Sequence, residues 1–195
     1  MINLAIVADS HESGLEKTIR DNFSDIKPFV LYYPGAKVER IKRMTISNQG
    51  RLRRFRPDIL IIHVGHNNVA YHTSKNPHPD WAKNIGYEMS YLVNLAQNLL
   101  PSTKIYVSCP FPRIPAKNFS SPQCDSYNKL VRRYNRFLKA EQLNIISLYV
   151  RGLWISPKIL KGKIEMFSEK DGLHLSDLGK KTVAEEWIAR IKADV

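Results

Sequence analysis

The amino-terminal stretch constrains the fold more than any other part of the chain. Residues 3–8 are nearly all apolar, and the run ends abruptly at Asp9, Ser10 and His11. A short apolar run closed by polar residues is typical of a strand buried on both faces of a parallel sheet. Residues 12–22 then show helical spacing, so Ser10 is predicted between the carboxyl end of a strand and the amino end of a helix.

Two interpretations of Ser10 are open from this stretch alone. Ligands bind at the carboxyl edge of open parallel sheets, and the N–H groups at a helix start favour a developing negative charge. Alternatively, Asp9 or Ser10 only caps the following helix, as these residue types commonly do.

Further along the chain, short apolar runs alternate with amphipathic stretches and polar loops. Strands are predicted at residues 28–33, 59–64, 104–109 and 145–149, and helices at residues 36–55, 81–100, 125–142 and 176–193. Residues 65–80, the proline-rich residues 110–122 and residues 151–170 are predicted to be irregular. This alternation predicts one α/β domain over residues 1–195, a three-layer sandwich with a five-stranded parallel sheet and helices on both faces.

Composition limits the class of protein. The 195 residues are 43% hydrophobic and 25% charged, which indicates a folded domain rather than disorder. Two cysteines are too few for a disulfide framework; we expect Cys109 in the core and Cys124 in a loop, although one disulfide stays open. The sequence has neither a signal peptide nor a transmembrane run, which predicts an intracellular, cytoplasmic protein.

The chain is strongly basic, with a formal net charge of +12. Residues 37–56 contain eight basic residues and one acid, Glu39. Such a run is usually a solvated face, but its imbalance also suits contacts with nucleic acid or an anionic membrane surface. The candidate polyanion-binding residues are Arg40, Lys42, Arg43, Arg51, Arg53, Arg54 and Arg56.

An acid and a histidine stand three residues apart near the carboxyl terminus. Asp171 and His174 share one face if this segment makes a helical turn, and the carboxylate could then hold the imidazole while its other nitrogen takes a proton from a serine. Taken singly, Asp171 is equally well explained as a turn residue and His174 as an ordinary loop histidine.

Four short motifs occur in a fixed order over nearly the whole chain: Asp9-Ser10, Pro34-Gly35, Gly65-x-Asn67 and Asp171-x-x-His174. In this order the chain resembles the SGNH (GDSL-like) hydrolase family, whose fold is a three-layer, flavodoxin-like α/β sandwich. More narrowly, it is similar to compact intracellular acetylhydrolases and to esterase domains of some retrotransposon and viral proteins.

The resemblance implies a serine esterase that removes a short acyl group, acetyl first among them, from a lipid or carbohydrate ester. Ser10 would be the nucleophile, His174 the general base and Asp171 its orienting acid. The N–H groups of Ser10 and Gly35 and the amide of Asn67 would form the oxyanion hole. Neither a metal nor a cofactor is expected. The alternative is a binding module of the same fold, with weak or no turnover, that uses its basic face.

Four further residues, within or next to these motifs, are candidates for the pocket lining: Asp9, His11, His66 and Asn68. The sequence departs from the family pattern at two positions, since Ala8 stands where glycine is usual and Asn68 where aspartate is usual. Alanine would be costly at residue 8 if that residue needs a positive φ. At residue 68 we expect a side chain that braces its loop by hydrogen bonding, a role that asparagine keeps in part.

Overall fold

Five strands form one parallel sheet in the order β2-β1-β3-β4-β5. The structure, a computed structural model, describes residues 1–9, 14–73, 79–117, 119–141, 143, 145–146 and 164–194. The strands are β1 (Ile2–Ala8), β2 (Ile26–Tyr32), β3 (Ile59–His63), β4 (Lys104–Ser108) and the two-residue β5 (Ile145–Ile146). The predicted flavodoxin-like α/β architecture is therefore confirmed.

Helices cover both faces of the sheet. The core beneath α2 to α6 is separate from the core beneath α1 and α7, and the sheet lies between the two. A single turn of 3₁₀ helix, Ile164–Met166, precedes the last helix. The helices are α1 (Leu15–Asn22), α2 (Val38–Ser47), α3 (Gln49–Phe55), α4 (His66–Thr73), α5 (Trp81–Leu99), α6 (Ser121–Ala140) and α7 (Asp177–Ala193).

The central position of β1 explains its apolar sequence. This strand pairs with β2 on one side and with β3 on the other. Ala5 and Val7 belong to the core on one face of the sheet, whereas Leu4 and Ile6 belong to the core on the opposite face. Because both faces are covered, no position between residues 4 and 8 can carry a side chain that needs water.

The predicted helix over residues 36–55 is in fact two helices. Residue Asn48 separates α2 from α3, and its amide nitrogen donates to the Met44 carbonyl and to the Tyr33 hydroxyl. An asparagine that binds the backbone in this way competes with continuation of the helix.

Two other predictions of secondary structure are wrong. Residues 65–80 contain α4, which apolar periodicity did not indicate because its first turn is polar. Helix α6 begins at Ser121, four residues before the predicted start. Pro122 lies in the first turn of α6, where the helix has no hydrogen bond that requires the backbone N–H missing in proline. The predicted strand residues 147–149 and most of residues 151–170 lie outside the described residues.

Both cysteines are free and buried. Cys109 belongs to the core as predicted, but the prediction of a loop for Cys124 is wrong, because this residue lies in α6. Burial raises the pKa of Cys109 to about 12 and the pKa of Cys124 to about 11, so both are protonated thiols at neutral pH.

Within the described part of the chain, every helix is too short or too polar to cross a bilayer.

The start of α7 gives a test of the fold. Ser176 is the N-cap, since its Oγ accepts the Gly179 N–H at 3.1 Å and donates to the Glu165 carbonyl. We expect Ser176→Ala to lower the free energy of unfolding by about 1 kcal/mol, because loss of the cap leaves the Gly179 N–H without its partner. Ser126→Ala, which changes an exposed serine within α6, should change stability by less than about 0.5 kcal/mol. Urea titration measures both, and equal losses would contradict the capping role.

Candidate active site

The strand order locates a crevice at the carboxyl edge of β1 and β3. The chain moves from β1 outward to β2 and then returns to β3 on the other side of β1. In open α/β sheets such a reversal leaves a gap between the two following loops, and ligands bind there. Asp9 directly follows β1, and α4 begins at His66 just after β3. The sequence therefore brings its first and third motifs to the same gap. Ser10 and His11 lie outside the described residues.

Asp9 is fully buried and close to two side chains of the third motif. Its Oδ2 atom lies 3.3 Å from Nδ1 of His66 and 3.4 Å from Nδ2 of Asn67. The Nε2 atom of His66 accepts the Phe111 N–H at 2.9 Å. Neutral His66 thus carries its proton on Nδ1, the nitrogen that faces the Asp9 carboxylate. Burial, with the nearby His174 ring as a smaller cause, lowers the pKa of His66 to about 3.

The rings of His63 and Phe111 pack against the ring of His66. The His63 ring lies 4.8 Å from the His66 ring and 4.5 Å from the Phe111 ring, measured between centroids. Nδ1 of His63 is 2.9 Å from the Ser108 Oγ, which also accepts the indole N–H of Trp187. Burial, followed by the proximity of His66, lowers the pKa of His63 to about 3. Both histidines are therefore neutral parts of the core.

The amide of Asn67 connects the third motif to the second. Its Nδ2 atom donates to the Ala36 carbonyl at 3.1 Å as well as to Asp9 at 3.4 Å. The adjacent Gly35 has a φ of 70°, a conformation that strains any residue with a side chain. A Cβ atom at Gly35 would have nothing within 4 Å, so the positive φ and not crowding favours glycine here.

Asn68 forms hydrogen bonds, as expected at this position, but they reach the start of α2 instead of its own loop. Its Oδ1 accepts the N–H of Val38, the first residue of α2, at 3.0 Å, and its Nδ2 lies 3.5 Å from a carboxylate oxygen of Glu39. The second contact explains why this chain has an amide here, because an aspartate would face the Glu39 carboxylate. Ala8, the other departure, is a regular strand residue without a positive φ, so alanine is not strained there.

Asp171 and His174 are in direct contact. Nδ1 of His174 lies 2.5 Å from Oδ2 of Asp171, and Oδ1 of Asp171 accepts the N–H groups of Leu173 and His174 at 2.9 and 3.0 Å. Burial alone would raise the pKa of Asp171, but the hydrogen bonds from the His174 ring and the two N–H groups outweigh it. They hold the pKa of this carboxyl at about 2. The pair is a carboxylate with an imidazole oriented through Nδ1.

Arg113 binds the backbone carbonyl of Asp171, a contact that the sequence did not predict. Its guanidinium donates two hydrogen bonds to the Asp171 carbonyl, at 3.0 and 3.1 Å, and lies 3.5 Å above the Phe119 ring. Gly172, with a φ of 62°, lets the chain pass so close to the Ile114 carbonyl that a Cβ atom would lie 2.2 Å from its oxygen. Gly172 lies inside the fourth motif, whereas Arg113 belongs to no recognisable motif. The proline-rich context of Arg113 gave no sign of its position.

The structure corrects the expected pocket lining. Asp9, His66 and Asn68 are all buried, so they support the edge from inside instead of presenting side chains to a ligand. Asn67, Asp171 and His174 keep partial exposure. The candidate polyanion-binding residues lie on α2 and α3 and in the turn that follows them, not among the motif residues.

The buried histidines predict acid sensitivity. Imidazoles in the unfolded chain gain protons below about pH 6.5, whereas those of His63 and His66 resist protonation down to about pH 3. Stability should therefore fall as the pH is lowered from 6.5, by up to about 1.4 kcal/mol per pH unit for each histidine. In His66→Gln, whose amide oxygen can accept the Phe111 N–H, we expect one histidine's share of this slope to disappear. Urea titrations from about pH 8 to pH 5 measure it, and an unchanged slope would contradict the assignment.

The contact of Asn68 with Glu39 predicts a coupled pair of substitutions. Asn68→Asp should lower the free energy of unfolding by about 1–2 kcal/mol at neutral pH, because it places two carboxylates side by side in a buried setting. Glu39→Gln should restore at least half of this loss. A double-mutant cycle by urea unfolding measures the coupling. An equal cost of Asn68→Asp in both backgrounds would show that Glu39 does not determine the residue at position 68.

Comparison with solved structures shows the same fold in known esterases and lipases. An acetyl xylan esterase superposes with a TM-score of 0.68 at 14% identity, covering 97% of this chain and 100% of the other. A GDSL-like lipase from Bacteroides thetaiotaomicron gives a TM-score of 0.67 at 14% identity, with 99% and 89% covered. A catalytic mutant of an acetylxylan esterase from Geobacillus stearothermophilus gives 0.61 at 15% identity, with 97% and 94% covered.

Sequence comparison gives the family. Comparison with curated proteins yields no match. The model of the GDSL-like lipase/acylhydrolase family, in contrast, matches residues 14–182, which is most of the chain. The matched residues contain the second, third and fourth motifs, and Asp9-Ser10 precedes them. The chain therefore belongs to the GDSL-like lipase/acylhydrolase family, as a serine ester hydrolase.

Proposed function

We propose that the protein hydrolyses a short-chain acyl ester, in the first instance an acetyl ester, through Ser10, His174 and Asp171. The observation that carries this proposal is the contact of the Asp171 carboxylate with Nδ1 of His174. A carboxylate on Nδ1 fixes the imidazole tautomer and leaves Nε2 as the nitrogen that exchanges a proton with a nucleophile.

In the first step the Ser10 hydroxyl attacks the ester carbonyl while Nε2 of His174 accepts the hydroxyl proton. The carboxylate of Asp171 then stabilises the imidazolium that forms, and its low pKa means that it stays ionised during the cycle. The tetrahedral intermediate collapses when His174 gives the proton to the leaving alcohol, and the acyl group remains on Ser10.

The N–H groups of Ser10 and Gly35 and the Asn67 amide serve as oxyanion donors in this mechanism. Both amide hydrogens of Asn67 have protein partners, and the contact with Asp9 is the longer of the two. For Asn67 to donate to an oxyanion, the hydrogen of the longer contact, to Asp9, has to change partner. Loss of one such donor typically costs about 3–4 kcal/mol of transition-state stabilisation.

Water completes the reaction. His174 accepts a proton from the attacking water. It then returns that proton to the Ser10 oxygen as the bond from this oxygen to the acyl carbon breaks, which releases the carboxylic acid and restores the serine hydroxyl. We assign acetylated carbohydrate or lipid as the substrate class. Two structures of similar fold are named as acetylxylan esterases, and this likeness supports an acetyl group without identifying the alcohol.

Turnover of p-nitrophenyl acetate tests the proposal. Ser10→Ala should lower kcat/KM by at least about a thousandfold, because the nucleophile is lost while binding groups remain. Ser13→Ala changes a serine of the same segment and serves as the matched control, with activity within about twofold of the wild type.

Circular dichroism and urea unfolding must show that both variants fold like the parent. A folded Ser10→Ala protein that keeps its activity would overturn the assignment. A folded wild-type protein that turns over neither p-nitrophenyl acetate nor longer esters would leave the fold in place and reject the esterase.

A further inference from the structure

The two helical layers of the sandwich differ in charge. In the layer of α2 to α6, helices α2 and α3 together carry six basic residues and one acidic residue, and α6 carries five and one. In the opposite layer, α1 carries two of each and α7 carries four basic and three acidic residues. The basic excess of the sequence is therefore concentrated on one side of the sheet in the described part of the chain.

Ion pairing follows the same division. On the α1 and α7 side, cations pair with acids one helical turn away, as in Lys17–Asp21, Lys180–Asp177 and Arg190–Asp194. On the other side, Lys42 pairs with Glu88. None of six exposed arginines on α2, α3 and the following turn has a carboxylate within 4 Å among the described residues. These six are Arg40, Arg43, Arg51, Arg53, Arg54 and Arg56.

Exposed aromatic rings lie on the same layer. Tyr87 and Tyr91, one turn apart on α5, are 50% and 58% exposed. The ammonium of Lys42, which projects from α2, lies 4.6 Å from the centroid of the Tyr91 ring, so the two helices share one surface. At the edge of the sheet, Arg51 lies over the Phe29 ring at 5.3 Å. Cations and rings thus alternate across this layer.

We propose that the outer surface of α2, α3 and α5 binds a single-stranded polynucleotide. The arginines without acidic partners would contact phosphates, and the exposed tyrosines would stack on unpaired bases. Base stacking requires rings that are open to solvent, which Tyr87 and Tyr91 provide. This surface is separate from the candidate active site, so the proposal does not depend on esterase activity.

A membrane fits the surface less well than a polynucleotide. Stable membrane contact needs an apolar face that enters the lipid as well as basic residues. Among the described residues of these three helices, the one large aliphatic side chain with high exposure is Ile46. Duplex nucleic acid also fits poorly, because its bases are already stacked on each other and cannot stack on tyrosine.

Salt-dependent binding tests the proposal, with fluorescent oligouridylate and oligothymidylate of about 20 nucleotides as the probes. The triple variant Arg43→Gln, Arg51→Gln, Arg54→Gln should weaken binding at least tenfold and lower the slope of log K against log salt by about 2. The variant Tyr87→Ala, Tyr91→Ala should weaken binding at least fivefold and leave that slope unchanged.

The matched control removes the same charge from the other layer, as Lys17→Gln, Lys181→Gln, Arg190→Gln, and should bind within about twofold of the wild type. Equal losses in the two triple variants would overturn the proposal, since net charge alone would then explain binding. Unchanged binding by the tyrosine variant, equal affinity for a duplex, or binding to phosphatidylserine vesicles in place of oligonucleotides would also overturn it. Equal affinity for oligouridylate and oligothymidylate would support recognition of phosphates and bases alone. A higher affinity for one of them would show that the surface also distinguishes ribose from deoxyribose.

Discussion

The buried carboxylate of Asp9 is the constraint on which the carboxyl edge of the sheet depends. A carboxylate without access to water is costly unless polar groups surround it, and here β1 ends directly on one. His66 and Asn67 supply the nearby donors, and both come from the loop and helix that follow β3. His66 in turn accepts an N–H from the loop after β4, while Asn67 reaches the loop after β2. The buried Asp9 side chain, His66 and Asn67 thus connect four loops.

The proline-rich loop after β4 connects this network to Asp171 and His174. Phe111 donates to His66 at one end of the loop, and Ile114 donates to the Gly172 carbonyl at the other. Between them, Arg113 binds the Asp171 carbonyl with two hydrogen bonds. The loop lacks regular secondary structure, but its backbone groups have defined partners. Its position explains how residues from both ends of the chain approach the same edge without a direct strand pairing.

The apolar runs of β1 and β3 were sufficient to predict the parallel sheet, because strands buried on both faces allow few other sequences. Of the predicted edge, the structure shows Asn67 in contact with Asp9 and with the Ala36 carbonyl, which lie beside or in the first three motifs. Helix α4 was missed because the polar residues of its first turn, His66, Asn67 and Asn68, have the composition of a loop. Asn68 contacts Glu39 across 29 residues of sequence, and Arg113 binds the Asp171 carbonyl across 58 residues. No local sequence pattern encodes contacts at such separations. Likewise, the basic run at residues 37–56 was visible in the sequence, but its location on one layer with Tyr87 and Tyr91 was not.

In the proposed mechanism, Ser10 is a nucleophile activated by the imidazole that Asp171 orients. Peptide mapping after reaction with a fluorophosphonate tests it most directly, because the reagent forms a stable adduct only with an activated serine. We expect one adduct, located on Ser10, which forms much more slowly in a folded His174→Asn protein. An adduct on another serine, or labelling of Ser10 at the same rate without His174, would contradict it.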